Sequence, residues 1–168
     1  IEYKLIQLLD NHDVNRIATK VANKKYLNNI YTILFTIPGV PSIYYGSEWG
    51  IEGDRKITDL NLRPEIFLEK YEKNEFAKKI EKEISQLISI RKSNIELTHG
   101  NYKEILVKNK QFIFGRCYND KWILVVLNLD DKDEILEFNI PFSNKSLINL
   151  KNTNEHFTTF NNKLQLNI

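Results

Sequence analysis

The sequence predicts two units of different class in one chain, an α/β segment followed by an antiparallel all-β domain. Hydrophobic periodicity is helical between short apolar runs from Ile1 to about Ser93, and it alternates with period two from about Tyr102 onward. That change marks a boundary near Asn94 to Asn101. In the first part, two short apolar runs flank one amphipathic helix with short links, the pattern of a βαβ unit, which implies parallel strands. In the second, turn-forming clusters recur between alternating segments, as in small β-sandwiches.

The first run, Leu5-Ile6-Gln7-Leu8-Leu9, ends in the polar cluster Asp10-Asn11-His12-Asp13, so it reads as a buried strand delivering polar groups at its C-terminal end. Leu27, Ile30, Tyr31, Leu34 and Phe35 recur at spacings of three and four, giving one apolar face of a helix of about three turns. Pro38-Gly39 closes it, since proline ends helices and glycine suits the turn beyond. Val40 to Tyr45 is a second β-branched and aromatic run, and Gly46-Ser47-Glu48 then turns the chain into a polar loop reaching about Pro64. Asn74 is expected to cap a helix whose face is Phe76, Ile80, Ile84, Leu87 and Ile88. Arg91 and Lys92 stand in its last turn, where cations suit the dipole.

Alternating segments follow at Tyr102 to Val107, Gln111 to Tyr118, Trp122 to Leu129 and Glu134 to Ile140, with weaker ones near Ser146 to Leu150 and Lys163 to Ile168. Turn signals separate them at Lys108-Asn109-Lys110, Asn119-Asp120-Lys121, Asp130-Asp131 and Pro141 to Lys145. Four to seven short antiparallel strands so spaced suggest a sandwich of roughly 70 residues. A parallel sheet needs both faces covered, and about 90 residues supply only two strands and two or three helices. The first part is therefore an incomplete α/β domain, which should expose strand edges and helix faces and invite self-association.

Composition bounds the function. The 168 residues are 42% hydrophobic and 11% aromatic, enough to bury a core, and 24 basic against 22 acidic residues leave a net charge of only +2. Interspersed charge of that kind gives no field for nucleic acid, and no stretch has the length of a membrane span. The start, Ile1-Glu2-Tyr3-Lys4, is neither a signal peptide nor a basic presequence, and the sequence is silent on secretion. One cysteine, Cys117, excludes disulfide scaffolds and zinc fingers, and its alternating surroundings assign it to packing. A start at Ile1 and the lack of any methionine suggest a piece of something longer.

Two constellations carry chemistry. Asn11-His12-Asp13 sets an imidazole beside a carboxylate at a strand end, where such a pair can bind sugar hydroxyls or orient another carboxylate; equally, Asp10 and Asp13 can cap the next turn while His12 satisfies a backbone carbonyl. Tyr44, Glu48 and Trp49 follow the second strand, where rings and a carboxylate can line a carbohydrate pocket, or where the tyrosines can fill a core while Glu48 fixes the loop. Trp122 and Phe114 lie in alternating strands and read as core. His99 and His156 have no ligand spacing and receive no role.

These residues, in the order Leu9-Asp10-Asn11-His12-Asp13-Val14-Asn15-Arg16, then Pro38-Gly39-Val40-Pro41-Ser42-Ile43-Tyr44-Tyr45-Gly46-Ser47-Glu48, resemble the α-amylase family of glycoside hydrolases, nearest to its neopullulanase and cyclomaltodextrinase branch. Leu87-Ile88-Ser89-Ile90-Arg91-Lys92, with Leu97 and Gly100, looks like the family's passage from barrel to β-sandwich. The resemblance covers essentially the whole chain. It implies the C-terminal quarter of a (β/α)8 TIM barrel in residues 1–93, followed by an antiparallel β-sandwich in residues 94–168.

By that resemblance, His12 would contact hydroxyls of the sugar at the cleavage subsite, and Asp13 would be the third acidic residue, aiding substrate distortion and transition-state binding. Arg16 would be structural. Asp59 and Arg63 occupy the place where related enzymes often carry an outer-subsite pair, and either serve there or form a surface ion pair. The implied partner is an α-glucan cleaved at α-1,4 and α-1,6 linkages by retaining hydrolysis. The nucleophile and general acid match nothing in this sequence, so the chain alone is expected to be inactive. No cofactor is implied, and a calcium site, frequent among relatives, cannot be placed because the aspartates form no ligand array. Alternatives of another class are an amylase-like interaction subunit that has lost the chemistry, and a stand-alone carbohydrate-binding module.

Overall fold

The structure, a computed structural model, describes residues 4–168, so the reading of the chain's start lies, for Ile1 to Tyr3, outside the described residues. The chain divides into two compact units, Ile1–Asn94 and Ile95–Ile168.

In the first unit, strand β1 (Ile6–Leu8) pairs in parallel with β2 (Val40–Ser42), Gln7 opposite Pro41. Between them run α1 (Ile17–Lys20) and α2 (Leu27–Thr36). Gly39 opens β2 at φ 113°, and a Cβ there would meet the Leu5 carbonyl at 2.7 Å, so only glycine lets the Val40 amide reach that carbonyl. Helices α3 (Leu68–Glu72) and α4 (Glu75–Ser93) follow the loop. Asn74 caps α4 as expected, its side chain accepting from the Phe76 and Ala77 amides.

The apolar stripe of α4 packs on α1 and α2: Ile80, Ile84 and Leu87 meet Ile17, Ala18, Leu27, Tyr31, Leu34 and Phe35. Phe76, expected on that face, is exposed, and Ala77 is buried in its place because the stripe runs through 77, 80, 84, 87 and 91. Arg91 stands in the last turn as expected, but its side chain lies inside and its hydrogen bonds go to another helix. It donates to the carbonyls of Phe35 (2.6 Å), Ile37 (3.3 Å) and Gly39 (2.6 Å), closing the C-terminal end of α2 and the turn into β2.

The reading of Leu5 to Leu9 as a buried strand is corrected. Leu5 is 75% and Ile6 67% exposed, with Leu8 and Val40 also exposed, and only Leu9 packs against the core. Two strands form too narrow a sheet for these helices to cover both of its faces.

The second unit begins with α5 (Ile95–His99), missed in the sequence, and continues as seven antiparallel strands. Strands β3 (Asn101–Val107), β4 (Gln111–Tyr118) and β5 (Lys121–Asn128) form one sheet. Strands β6 (Ile135–Asn139) and β9 (Lys163–Asn167) pair, as do β7 (Ser146–Ile148) and β8 (His156–Thr158). Asn119 and Asp120 both have positive φ, which gives β4 and β5 the two-residue turn whose twist matches the strands. Ile113, Leu136, Phe138, Ile140, Leu164 and Leu166 make the core, with Ile105, Leu124 and Val126 packed on it. Phe114 is fully buried as expected, and Trp122 and Cys117 are partly buried. Strand β8 escaped the sequence pattern because the polar residues around it mask the alternation.

Candidate functional site

The candidate groups all lie within the first unit. Strand β1 leads into Asp10, buried at 2% exposure, whose carboxylate accepts from the Ile17 amide at 2.7 Å and from Ser47 Oγ at 2.9 Å. Asp10 thus closes the loop from 10 to 17 and ties its base to the segment after β2. This is the capping role allowed for Asp10 in the sequence, and it leaves the loop tip free to present other groups.

At the tip, the Asn11 side chain accepts from the Asp13 amide at 2.8 Å, a local turn that turns His12 and Asp13 toward solvent. His12 Nε2 stands 3.2 Å from Asp13 Oδ2, with the two side chains 54% and 61% exposed. A pair so exposed contributes little to stability. Both side chains are open to solvent at the end of β1.

The loop after β2 lies against this tip. Arg63 donates weakly to the His12 carbonyl at 3.4 Å, and its Nη2 lies 3.9 Å from Asp13 Oδ1. Arg55 donates to the Asp13 carbonyl at 2.9 Å, and its amide donates to the Asn15 side chain at 2.9 Å. Asp59 faces Arg55 at 3.9 Å, both side chains exposed, rather than joining Arg63. The structure therefore gathers His12, Asp13 and Arg63 and sets Asp59 one arginine away.

Tyr44 lies 6.4 Å from the His12 ring and makes an edge contact with Tyr45 at 4.7 Å. Burial, followed by the neighbouring Tyr45, pushes the Tyr44 hydroxyl above its ordinary pKa, so it stays a neutral donor and acceptor at neutral pH. Tyr45 donates from its hydroxyl to the Pro64 carbonyl at 3.2 Å. Trp49 stacks on Tyr71 at 5.0 Å, an attachment of the loop to α3. An imidazole, a carboxylate and a tyrosine ring at the end of parallel strands can bind hydroxyls and steady positive charge. Neither His12 nor Asp13 is placed against a second carboxylate in the described contacts.

Sequence reasoning missed Arg55 and Ser47, and it made Arg16 structural without giving its partners. Their partners lie 29 to 42 residues away in the chain, so no local spacing signals them. Among the described residues, no group of three metal-binding side chains is gathered, and no helix is long and apolar enough to cross a membrane.

A family model for the alpha-amylase catalytic domain matches residues 2–159. The cyclomaltodextrinase of Thermoanaerobacter pseudethanolicus is 32% identical over 149 residues, covering 88% of this chain and 25% of that protein. Alpha-amylase 2 of Dictyoglomus thermophilum is 30% identical over 145 residues, covering 82% of this chain and 25% of that protein. An Anoxybacillus alpha-amylase crystal structure superposes with a TM-score of 0.85 at 22% identity, covering 99% of this chain and 36% of that one, a likeness of fold. The chain spans about a quarter of the length of these curated relatives.

Proposed function

The chain belongs to the α-amylase family of glycoside hydrolases, and on that premise we propose that it forms the C-terminal part of a retaining α-glucan hydrolase. In this reading residues 1–93 supply the last two strands of a (β/α)8 barrel with their helices, and residues 94–168 form a β-sandwich. The substrate is an α-1,4-linked glucan, with α-1,6 branches also within reach.

The observation that carries the reading is the His12–Asp13 pair, 3.2 Å apart and presented to solvent where a parallel strand ends. In retaining hydrolysis one carboxylate attacks the anomeric carbon and a second carboxylic acid protonates the leaving oxygen, through a transition state with positive charge on the sugar ring. Asp13 takes neither part. Its carboxylate stabilises the developing charge electrostatically, and His12 binds a hydroxyl of the sugar being cleaved. Arg63, its Nη2 3.9 Å from Asp13 Oδ1, is the candidate for the neighbouring outer subsite. Asp59 stands at the rim with Arg55.

The nucleophile and general acid are not among these residues, so this chain by itself binds and does not turn over. Incubation with maltooligosaccharides, followed by product analysis and by NMR of the three histidines, tests this. The expected result is a response of His12 without hydrolysis. Measurable turnover by the chain alone sinks the reading, and tight binding at residues of the second unit with no effect at His12 favours a carbohydrate-binding module instead.

A further inference from the structure

Behind the exposed pair lies a cation that the proposed chemistry leaves without a task. Arg16 is fully buried, at 0% exposure, four residues beyond His12. Its guanidinium carbon sits 4.2 Å from the Tyr44 ring centre and 5.1 Å from that of Tyr45. Nη1 donates to the Tyr45 carbonyl at 2.8 Å and to Ser47 Oγ at 3.2 Å. Ser47 Oγ in turn donates to the Asp10 carboxylate at 2.9 Å. The Arg16 amide donates to the Gly53 carbonyl at 3.0 Å, an approach that needs glycine, since a Cβ on Gly53 would meet the Asn61 carbonyl oxygen at 2.5 Å.

Arg16 Nε and Nη2 have no hydrogen-bond partner among the described residues, and leaving guanidinium donors buried in that state is costly. An apolar residue of similar length would fill the space without that cost. What it could not do is hold the Tyr45 carbonyl and both aromatic rings at once. Those contacts fix the Tyr44 ring, which faces His12 at 6.4 Å, while Asp10 and Arg16 secure the two ends of the loop that carries His12 and Asp13.

We infer that Arg16 is a positioning residue: set against the rings of both Tyr44 and Tyr45 and joined through Ser47 to Asp10, it sets the attitude of His12 and Asp13. The inference rests on the α-glucan reading only for what the pair does, since the geometry stands apart from it.

The chain has three histidines, and His99 and His156 lie in the other unit, so NMR of the imidazoles carries its own controls. Arg16→Met keeps much of the length and removes the donors and the charge. Arg16→Lys keeps the charge as a single point without the planar fork. The expected result is a shift or broadening of the His12 resonance in Arg16→Met, a partial return in Arg16→Lys, and no change at His99 or His156. An unmoved His12 resonance in a natively dispersed Arg16→Met spectrum overturns the inference. If Arg16→Met loses native dispersion, Ser47→Ala decides by the same readout, because it cuts only the bridge to Asp10. Adding maltotriose separates the two claims: no His12 response in the unsubstituted chain removes the sugar reading and leaves the positioning intact, whereas an identical response in chain and variant overturns the positioning.

Discussion

Replacing Arg91 by methionine is expected to cost the first unit about 2–4 kcal/mol. The side chain makes two charge-assisted bonds of 2.6 Å, to the Phe35 and Gly39 carbonyls, and a longer one of 3.3 Å to Ile37. Bonds from charged donors contribute about 1.5–3 kcal/mol each, so the two short ones set a gross loss of about 3–6 kcal/mol. Part of that returns when the charge is removed, because burial pulls the Arg91 pKa below its ordinary value and so opposes the cation. Methionine retains most of the stem's contact with α2, which keeps cavity effects small. With a urea m-value of about 2 kcal/mol/M, the loss moves the unfolding midpoint down by about 1–2 M. Trp49 reports on this unit, and a Trp122→Phe background removes the other indole. Arg91→Lys should fall between, since an ammonium cannot span two carbonyls with a fixed fork. A loss below about 0.5 kcal/mol in Arg91→Met, the level of an ordinary surface change, would refute the assignment of Arg91 as the closure of α2.

On the proposed reading, Asp13→Asn in the full-length protein should lower kcat by about 10²–10³-fold with little change in KM, as expected for charge stabilisation confined to the transition state. In the chain alone it should leave stability within about 0.5 kcal/mol, because the side chain is exposed. Burial first, then the charges of Asp10 and Glu48, push the Tyr31 pKa far above its ordinary value while Arg16 opposes, so the neutral hydroxyl is the folded form. Stability from this group is complete below the ordinary tyrosine pKa and declines as pH rises above about 10. Tyr31→Phe should flatten that alkaline slope and cost about 1 kcal/mol for the lost bond to the Ser47 carbonyl. The exposed Leu5, Ile6, Leu8 and Val40 should make the chain self-associate, and Ile6→Lys should reduce the mass seen in light scattering; a monomer at high concentration would remove that expectation.

The elements legible in the sequence are those whose signal is local. The helix of Leu27 to Phe35, the Asn74 cap and the Asn119-Asp120 turn each follow from spacing or side-chain chemistry within a few residues. The placement of His12 and Asp13 just past the first strand was legible for the same reason, since a polar triplet at the end of an apolar run is a contiguous pattern. What escaped was long-range. Nothing near Arg91 says that it leaves its own helix terminus for carbonyls more than 50 residues earlier. Nothing near Arg55 points to Asp13, and the exposure of Leu5 and Ile6 depends on how many strands stand beside them. Asp59 shows the limit of register reasoning: its position suggested Arg63, and the short helical turn over Asp59–Leu62 brings it to Arg55.

One physical device recurs through the first unit. A two-stranded sheet of three-residue strands has few ladder bonds, so many loop carbonyls there must find donors elsewhere. Arginines supply them: Arg16 to Tyr45, Arg55 to Asp13, Arg63 to His12, and Arg91 to Phe35, Ile37 and Gly39. Each of these carbonyls belongs to the site loop, the segment just after β2, the last turn of α2, or the turn that starts β2. The guanidinium suits the task because its several donors are fixed in one plane and its charge persists when buried. The exposed pair at the tip is thus held by groups that never touch it directly as well as by those that do. Substitution at Arg16, next to Tyr44 and Tyr45, should therefore disturb the site, whereas substitution at Arg91 acts on the stability of the unit.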